Sequence, residues 1–205
     1  MSQSVFILAA SIILGYLLGS IPTGVLVSRW GYGLDLRRAG SGNIGATNAL
    51  RVLGPGPALL VLLVDVAKGT LSVWLARLLG GGLTAQVLAG MAAVIGHNWS
   101  LYLGLQGGRG IATTLGVLLV LMPQVVAVLA VIWAFVVALT RYVSLGSILA
   151  AVAFPFVVWA TRLPSLYLSV SVVLSAAVIY KHLPNLRRLL QGTEHKLGQK
   201  SKREG

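Results

Sequence analysis

Residues 111–140 read IATTLGVLLVLMPQVVAVLAVIWAFVVALT, an apolar stretch interrupted once, at Met122-Pro123-Gln124. A helix that crosses a bilayer needs roughly 20 apolar residues, and this stretch is half as long again. Proline supplies no backbone N–H and clashes with the preceding turn, so a helix ends or bends there. The stretch is therefore one tilted, kinked crossing or two short helices that turn at Pro123.

Charge decides between the two. Other apolar segments run over Val5–Val27, Ala58–Leu79, Leu83–Leu103, Val143–Thr161 and Leu166–Tyr180. If residues 111–140 turn back, the chain crosses seven times. Arg29, Arg37, Arg38, Arg51, Arg109, Arg141 and the basic residues after Tyr180 then share one side, which holds 13 of the 16 lysines and arginines. A single crossing would move Arg141 and the tail to the opposite face and dissolve that bias. Cytoplasmic loops concentrate Lys and Arg, so seven crossings are expected, with the N-terminus outside and the C-terminus in the cytoplasm. The cost is that the fourth and fifth helices are each too short to span a full ~30 Å core squarely.

Composition agrees with a lipid solvent. Hydrophobic residues make up 57% of the 205, only 10% are charged, and mean hydropathy is +0.88. That is too little polar surface for a soluble globule of this size. The alternating ten-residue segments of an outer-membrane barrel are absent, so the fold class is all-α, a single polytopic domain over 1–205. Met1-Ser2-Gln3-Ser4 enters the first apolar stretch without a basic residue, so no cleaved leader is expected. Gly15-Tyr-Leu-Leu-Gly19 has the spacing that lets two helices approach closely, and packing is its expected role. The net charge of +12 lies in loops without a nucleic-acid motif or an aromatic platform, so no nucleic-acid partner is expected. With no cysteine there is no disulfide, thiolate zinc site or thiol nucleophile.

Three polar stretches remain, in the loops 29–53 and 104–113 and the basic tail 181–205. Gly40-Ser41-Gly42-Asn43-Ile44-Gly45-Ala46-Thr47-Asn48-Ala49-Leu50-Arg51 sets small donors on a glycine backbone free to turn its amides inward, which suits an oxyanion. Arg51 adds a fork for two phosphate oxygens. Gly107-Gly108-Arg109-Gly110, entering a helix at Ile111-Ala112-Thr113-Thr114, combines a flexible turn, a cation and a helix N-terminus, although the P-loop pattern is not matched. Lys181 to Gly198 is the third stretch. A lipid headgroup anchor accounts for Arg187 and Arg188 there, but not for His182, Asn185 and Gly192-Thr193-Glu194. Asp65 and Lys68, three apart in an apolar helix, pair either for function or to orient the neighbouring loops. His97-Asn98-Trp99 is either a wall of a polar site or an interfacial anchor.

Some chemistries are excluded. Tyr102, Arg187 and Lys200 stand five residues after the three histidines, so the HxxxxD dyad of many acyltransferases is missing. Four acidic residues make two-metal and paired-carboxylate catalysis implausible, and a serine triad lacks an acid and a nucleophile elbow.

The three stretches resemble the bacterial PlsY-type acyl-phosphate:glycerol-3-phosphate acyltransferases. GSGNxGATNxxR falls at Gly40–Arg51, a GGKGxAT-like element at Gly107–Thr113 and a HxxNxxRLxxGTExKxG-like element at His182–Gly198. Tyr16-Leu17-Leu18-Gly19-Ser20-Ile21-Pro22 and Asp65-Val66-Ala67-Lys68-Gly69 also look like that family. The resemblance implies seven short helices in the bacterial inner membrane and three cytoplasm-facing motifs around one site. The reaction it implies is acyl transfer from acyl phosphate to the 1-hydroxyl of glycerol 3-phosphate, giving 1-acylglycerol 3-phosphate and phosphate. This is the first step of phospholipid synthesis. No metal or bound cofactor is expected; the partners expected are the two substrates, the lipid bilayer and the enzyme that makes acyl phosphate.

Carried over by motif position, Ser41, Arg51, His182 and Asn185 are the expected catalytic residues. Gly42, Asn43, Thr47 and Asn48 are expected to bind phosphate or glycerol hydroxyls. Gly107, Gly108, Arg109 and Gly110 form the expected acyl-phosphate loop, and Glu194 and Lys196 complete the binding set. Arg109 stands where the family usually has Lys. Because guanidinium stays protonated, its role is charge and hydrogen bonding, never that of a base. Acyl phosphate is already activated, so the expected step is direct attack by the substrate hydroxyl, its proton passing to a substrate phosphate oxygen or to His182.

Overall fold

The computed structural model describes residues 2–199, and these form helices and turns without a strand. The last residues of the basic tail, 200–205, lie outside the described part. The described residues fall into two compact units, 2–117 with 198–199, and 118–197.

In the first unit, α1 (Ser2–Ser20) gives way to α2 (Thr23–Tyr32) at Ile21-Pro22. The proline has no N–H for a helical bond, so one apolar run becomes two helices. A 3-10 turn at Leu36–Arg38 and the short α3 (Ala46–Val52) then lead to α4 (Pro55–Leu78) and α5 (Leu83–Asn98). The seam between α1 and α5 is built on small residues. A Cβ on Gly15 would meet the Ala89 carbonyl, one on Gly19 the Ala93 backbone, and one on Gly96 the Tyr16 carbonyl. Without side chains at these points the backbones touch, as the small-xxx-small spacing implied. The seam is tied at its end by Ser100 Oγ donating to the Ser20 carbonyl and Tyr16 Oη donating to the Trp99 carbonyl at 2.9 Å. Leu36, Ala49, Ala58 and Val61 form a buried cluster that seats the first loop on α4.

The apolar stretch 111–140 divides as its proline requires. Helix α6 (Ile111–Leu121) stops at Met122, whose extended φ of −147° breaks the spiral, and α7 (Pro123–Thr140) starts with Pro123 in its first turn. The start of α6 packs on α4 within the first unit. Gly69 and Gly116 lie against the carbonyls of Thr113 and Val66, and Thr70 Oγ1 donates to the Gly116 carbonyl at 3.0 Å.

The second unit holds α7, α8 (Val143–Ala160), α9 (Ser165–Lys181) and the short α10 (Leu183–Leu190). Inside it, Ser175 Oγ donates to the Ala151 carbonyl at 2.6 Å, joining α9 to α8.

Seven full crossings are not what the helices provide. Among the described residues, four are long and apolar enough: Gln3–Tyr32 taken together, Pro55–Leu78, Pro123–Thr140 and Val143–Ala160. Ser165–Lys181 with Leu183–Leu190, bent by 55°, makes a fifth if it is one broken span. At 1.5 Å per residue α5 is about 24 Å long and α6 about 17 Å, both short of a ~30 Å hydrocarbon core. The expectation of a short fourth helix holds for α6, whereas α7, with 18 residues, is longer than anticipated.

Candidate functional site

The first loop is organised by one amide. Asn48, in the first turn of α3 and 2% exposed, donates through Nδ2 to the carbonyls of Asn43 (2.8 Å), Ala39 (2.9 Å) and Leu36 (3.2 Å). Its Oδ1 accepts from the Ser41 backbone N–H at 2.9 Å and faces Arg51 Nη1 at 3.4 Å. Both polar atoms of the side chain bond within the loop. Gly40 is required twice over: its φ is +60°, and a Cβ there would collide with Asn48 Oδ1. Asn43 Oδ1 accepts from the Gly45 N–H at 2.8 Å and closes the far side of the turn.

Asp35 fixes the approach to the loop. It caps the 3-10 turn by accepting from the Arg37 N–H at 3.0 Å and pairs with Arg37 (2.6 Å) and Arg29 (2.8 Å). The Arg37 side chain holds its carboxyl well below the usual carboxylate range, against the upward push of burial. What the loop leaves uncommitted is the Ser41 hydroxyl, half-buried, and the exposed Thr47 hydroxyl; neither bonds to a described residue. Ser41 and Arg51 converge because both address Asn48 Oδ1.

The second loop rests on the end of α5. Gly108 N–H donates to the His97 carbonyl at 3.0 Å, and a Cβ on Gly108 would overlap the His97 ring at Nε2. A Cβ on Gly107 would strike the His97 carbonyl, and Gly110, with φ +77°, lies against Asn98 Oδ1. Glycine is needed at all three because the turn lies directly on another chain segment. Arg109 is half-buried between them. The buried hydroxyls of Thr113 and Thr114, in the first turn of α6, have no hydrogen-bond partner among the described residues.

Behind this loop, sequence reasoning found a pair where the structure has a trio. Lys68 Nζ lies 2.8 Å from Asp65 Oδ1, 2.8 Å from His97 Nδ1 and 3.0 Å from the Ile21 carbonyl. His97 is therefore part of a buried polar cluster, not an interfacial anchor.

The third stretch, in the second unit, is gathered by Glu194. Its Oε1 accepts from Asn185 Nδ2 (2.7 Å) and Ser144 Oγ (2.8 Å), and its Oε2 from Arg188 Nε (2.7 Å). Burial pushes the carboxyl up, but the bonds from Asn185, Ser144 and Arg188, with the charge of Arg188, outweigh it and keep the group ionised below its ordinary range. His182, buried at the junction of α9 and α10, has Nδ1 2.8 Å from the Val178 carbonyl. A carbonyl only accepts, so Nδ1 carries the proton and Nε2 is the ring's acceptor. Lys196 Nζ lies 5.5 Å from the centre of the Tyr142 ring, a cation–π contact. The tail is clamped again by Arg141, whose backbone carbonyl and Nη2 bond the Leu197 N–H and carbonyl, each at 2.7 Å. Ser144, Arg141 and Tyr142 were missed at the level of sequence; the polar break Thr140-Arg141-Tyr142 between two spans was the available signal.

The model of the glycerol-3-phosphate acyltransferase family matches residues 9–192. A glycerol-3-phosphate acyltransferase 2 from Moorella thermoacetica is 51% identical over 191 residues, covering 93% of this chain and 98% of its own. A glycerol-3-phosphate acyltransferase from Synechococcus sp. (strain JA-2-3B'a(2-13)) is 52% identical over 186 residues, 91% of this chain and 92% of its own. The crystal structure of PlsY (YgiH), an integral membrane glycerol 3-phosphate acyltransferase, in its glycerol 3-phosphate form superposes with a TM-score of 0.87. Its sequence is 35% identical, and the match covers 93% of this chain and 96% of that one. The lysophosphatidic acid form of the same protein gives 0.84. The family model and the relatives span nearly the whole chain, and the chain is a member of the glycerol-3-phosphate acyltransferase family.

Proposed function

We propose that this protein transfers an acyl group from acyl phosphate to the 1-hydroxyl of glycerol 3-phosphate, releasing 1-acylglycerol 3-phosphate and inorganic phosphate. The observation that carries the reading is the Asn48-ordered loop, in which the Ser41 backbone N–H and the Arg51 guanidinium address the same amide oxygen on a pre-set backbone. Donors held in place before the substrate arrives act without reorganising during reaction. The loop suits the phosphate of glycerol 3-phosphate, with Thr47 and the backbone of Gly42 and Asn43 beside it. Gly107, Gly108, Arg109 and Gly110, followed by the unpartnered Thr113 and Thr114 hydroxyls, suit the phosphate of the acyl donor.

What the chain lacks supports this donor class, as does the resemblance. Without an HxxxxD dyad, the enzyme depends on a leaving group good enough to depart with little acid–base help, which acyl phosphate supplies. The substrate hydroxyl attacks the acyl carbonyl, the bond to the phosphate oxygen breaks, and the proton passes to a phosphate oxygen or to His182 Nε2. Glu194 orients Asn185 and Ser144, and Lys196 adds positive charge at the tail. An odd number of crossings would set 13 of the 16 basic residues on one side, and that bias supports an inner-membrane protein with its loops and tail cytoplasmic.

The test is phosphate release by purified protein in detergent or lipid, given palmitoyl phosphate with and without glycerol 3-phosphate. Release should require both substrates and fall by on the order of 100-fold or more in Ser41→Ala and Arg51→Ala. Release without glycerol 3-phosphate, or indifferent to both substitutions, would point to another donor or another chemistry.

A further inference from the structure

The Asp65–Lys68–His97 cluster is used by no step above, yet it is 1–4% exposed and contains the only charged residues that α4 buries among its described apolar neighbours. An ammonium has three N–H donors and no lone pair. Lys68 Nζ donates to the Ile21 carbonyl at 3.0 Å, meets His97 Nδ1 at 2.8 Å and is ion-paired with Asp65 Oδ1 at 2.8 Å.

The consequence passes to His97. Its Nδ1 accepts from Lys68, so the ring proton sits on Nε2, and Nε2 is the edge that abuts Gly108. On its backbone side His97 takes the Gly108 N–H at 3.0 Å and blocks the Cβ position of Gly107. The next residue of α4, Gly69, touches the Thr113 carbonyl, three residues past the turn. The turn is thus held before its glycines by His97 and after them by the backbone beside Lys68.

We propose that Lys68, fixed by Asp65, locks His97 as its Nε2–H tautomer, and that His97 is a positioning residue for the Gly107–Gly110 turn. The claim rests on the reading of that turn as the acyl-phosphate loop. Neither Lys68 nor His97 touches substrate; they set where the turn's amides and Arg109 point. Distinct from general structural support, this requires that the cluster affect one substrate and not the other.

The experiment uses the full chain with His97→Gln, which keeps an acceptor for Lys68, and His97→Leu, which does not. KM for palmitoyl phosphate should rise on the order of tenfold in His97→Leu and less in His97→Gln, while KM for glycerol 3-phosphate stays within about twofold. The two KM values rising together, or neither moving in protein that is folded, overturns the proposal. Two measurements need no substrate. In protein labelled with 15N-histidine, the signals lost in His97→Gln should show a bare Nδ1 and a protonated Nε2; the opposite tautomer overturns the lock. Amide exchange over 107–110 should quicken in His97→Gln, and unchanged exchange overturns the positioning role. If wild type released no phosphate from palmitoyl phosphate, the functional reading would fail, while tautomer and exchange would still decide the cluster.

Discussion

Asn48 shows what a single side chain does to a glycine-rich loop. Its two ends satisfy three carbonyls and one N–H that a loop buried on α4 would otherwise leave without partners. Asn48→Ala should lower stability by about 1–3 kcal/mol, the cost of orphaned buried polar groups, and speed amide exchange over 36–45. Asn48→Asp should be worse, because a carboxylate set against carbonyls has nothing to donate; thermal unfolding in detergent orders the three proteins. Glu194 makes the corresponding statement about pH. Its folded carboxyl titrates below the ordinary value, so its contribution is complete above the ordinary range, about pH 4.3, and is lost as pH falls through the folded value. Melting temperature measured between ~pH 6 and ~pH 3 should fall less steeply in Glu194→Gln than in wild type. An equal slope would mean that the ion pair with Arg188 contributes nothing.

At the level of the helix, the sequence is legible where the cause is local. Pro123 splits its stretch because the missing N–H acts at that position alone, and Gly15 with Gly19 announces a close seam because the spacing is a property of one helix. Gly19→Leu should force α1 from α5 and cost at least about 1–3 kcal/mol, seen as loss of the monodisperse peak in detergent. Gly31→Ala, with nothing near its Cβ position, should be indistinguishable from wild type. Hydropathy hid the break at Pro22, since the residues on both sides are apolar, and α3 is too short to carry a period. The motif loops were visible as composition, but their internal wiring was not. That Asn48 faces inward, that His97 joins a lysine 29 residues away, and that Ser144 reaches a glutamate 50 residues later are facts of proximity, which no local pattern encodes.

For the molecule as a whole, the charge distribution makes a statement about sidedness that the helix lengths do not. A chain without cysteine is convenient for testing it. Ser2→Cys should react with a membrane-impermeant maleimide on intact cells, and Gln199→Cys only after permeabilisation. Labelling of both from one side would mean an even number of crossings and would remove the charge argument. The buried lysine of α4 has a further meaning in the order of synthesis. Of its three partners, Asp65 lies one turn earlier in the same helix and Ile21 was translated before either, so both already exist when α4 leaves the ribosome. Only His97 arrives later. The chain can therefore shelter its buried charge as it is being inserted, and the last partner to appear is the one that carries the turn.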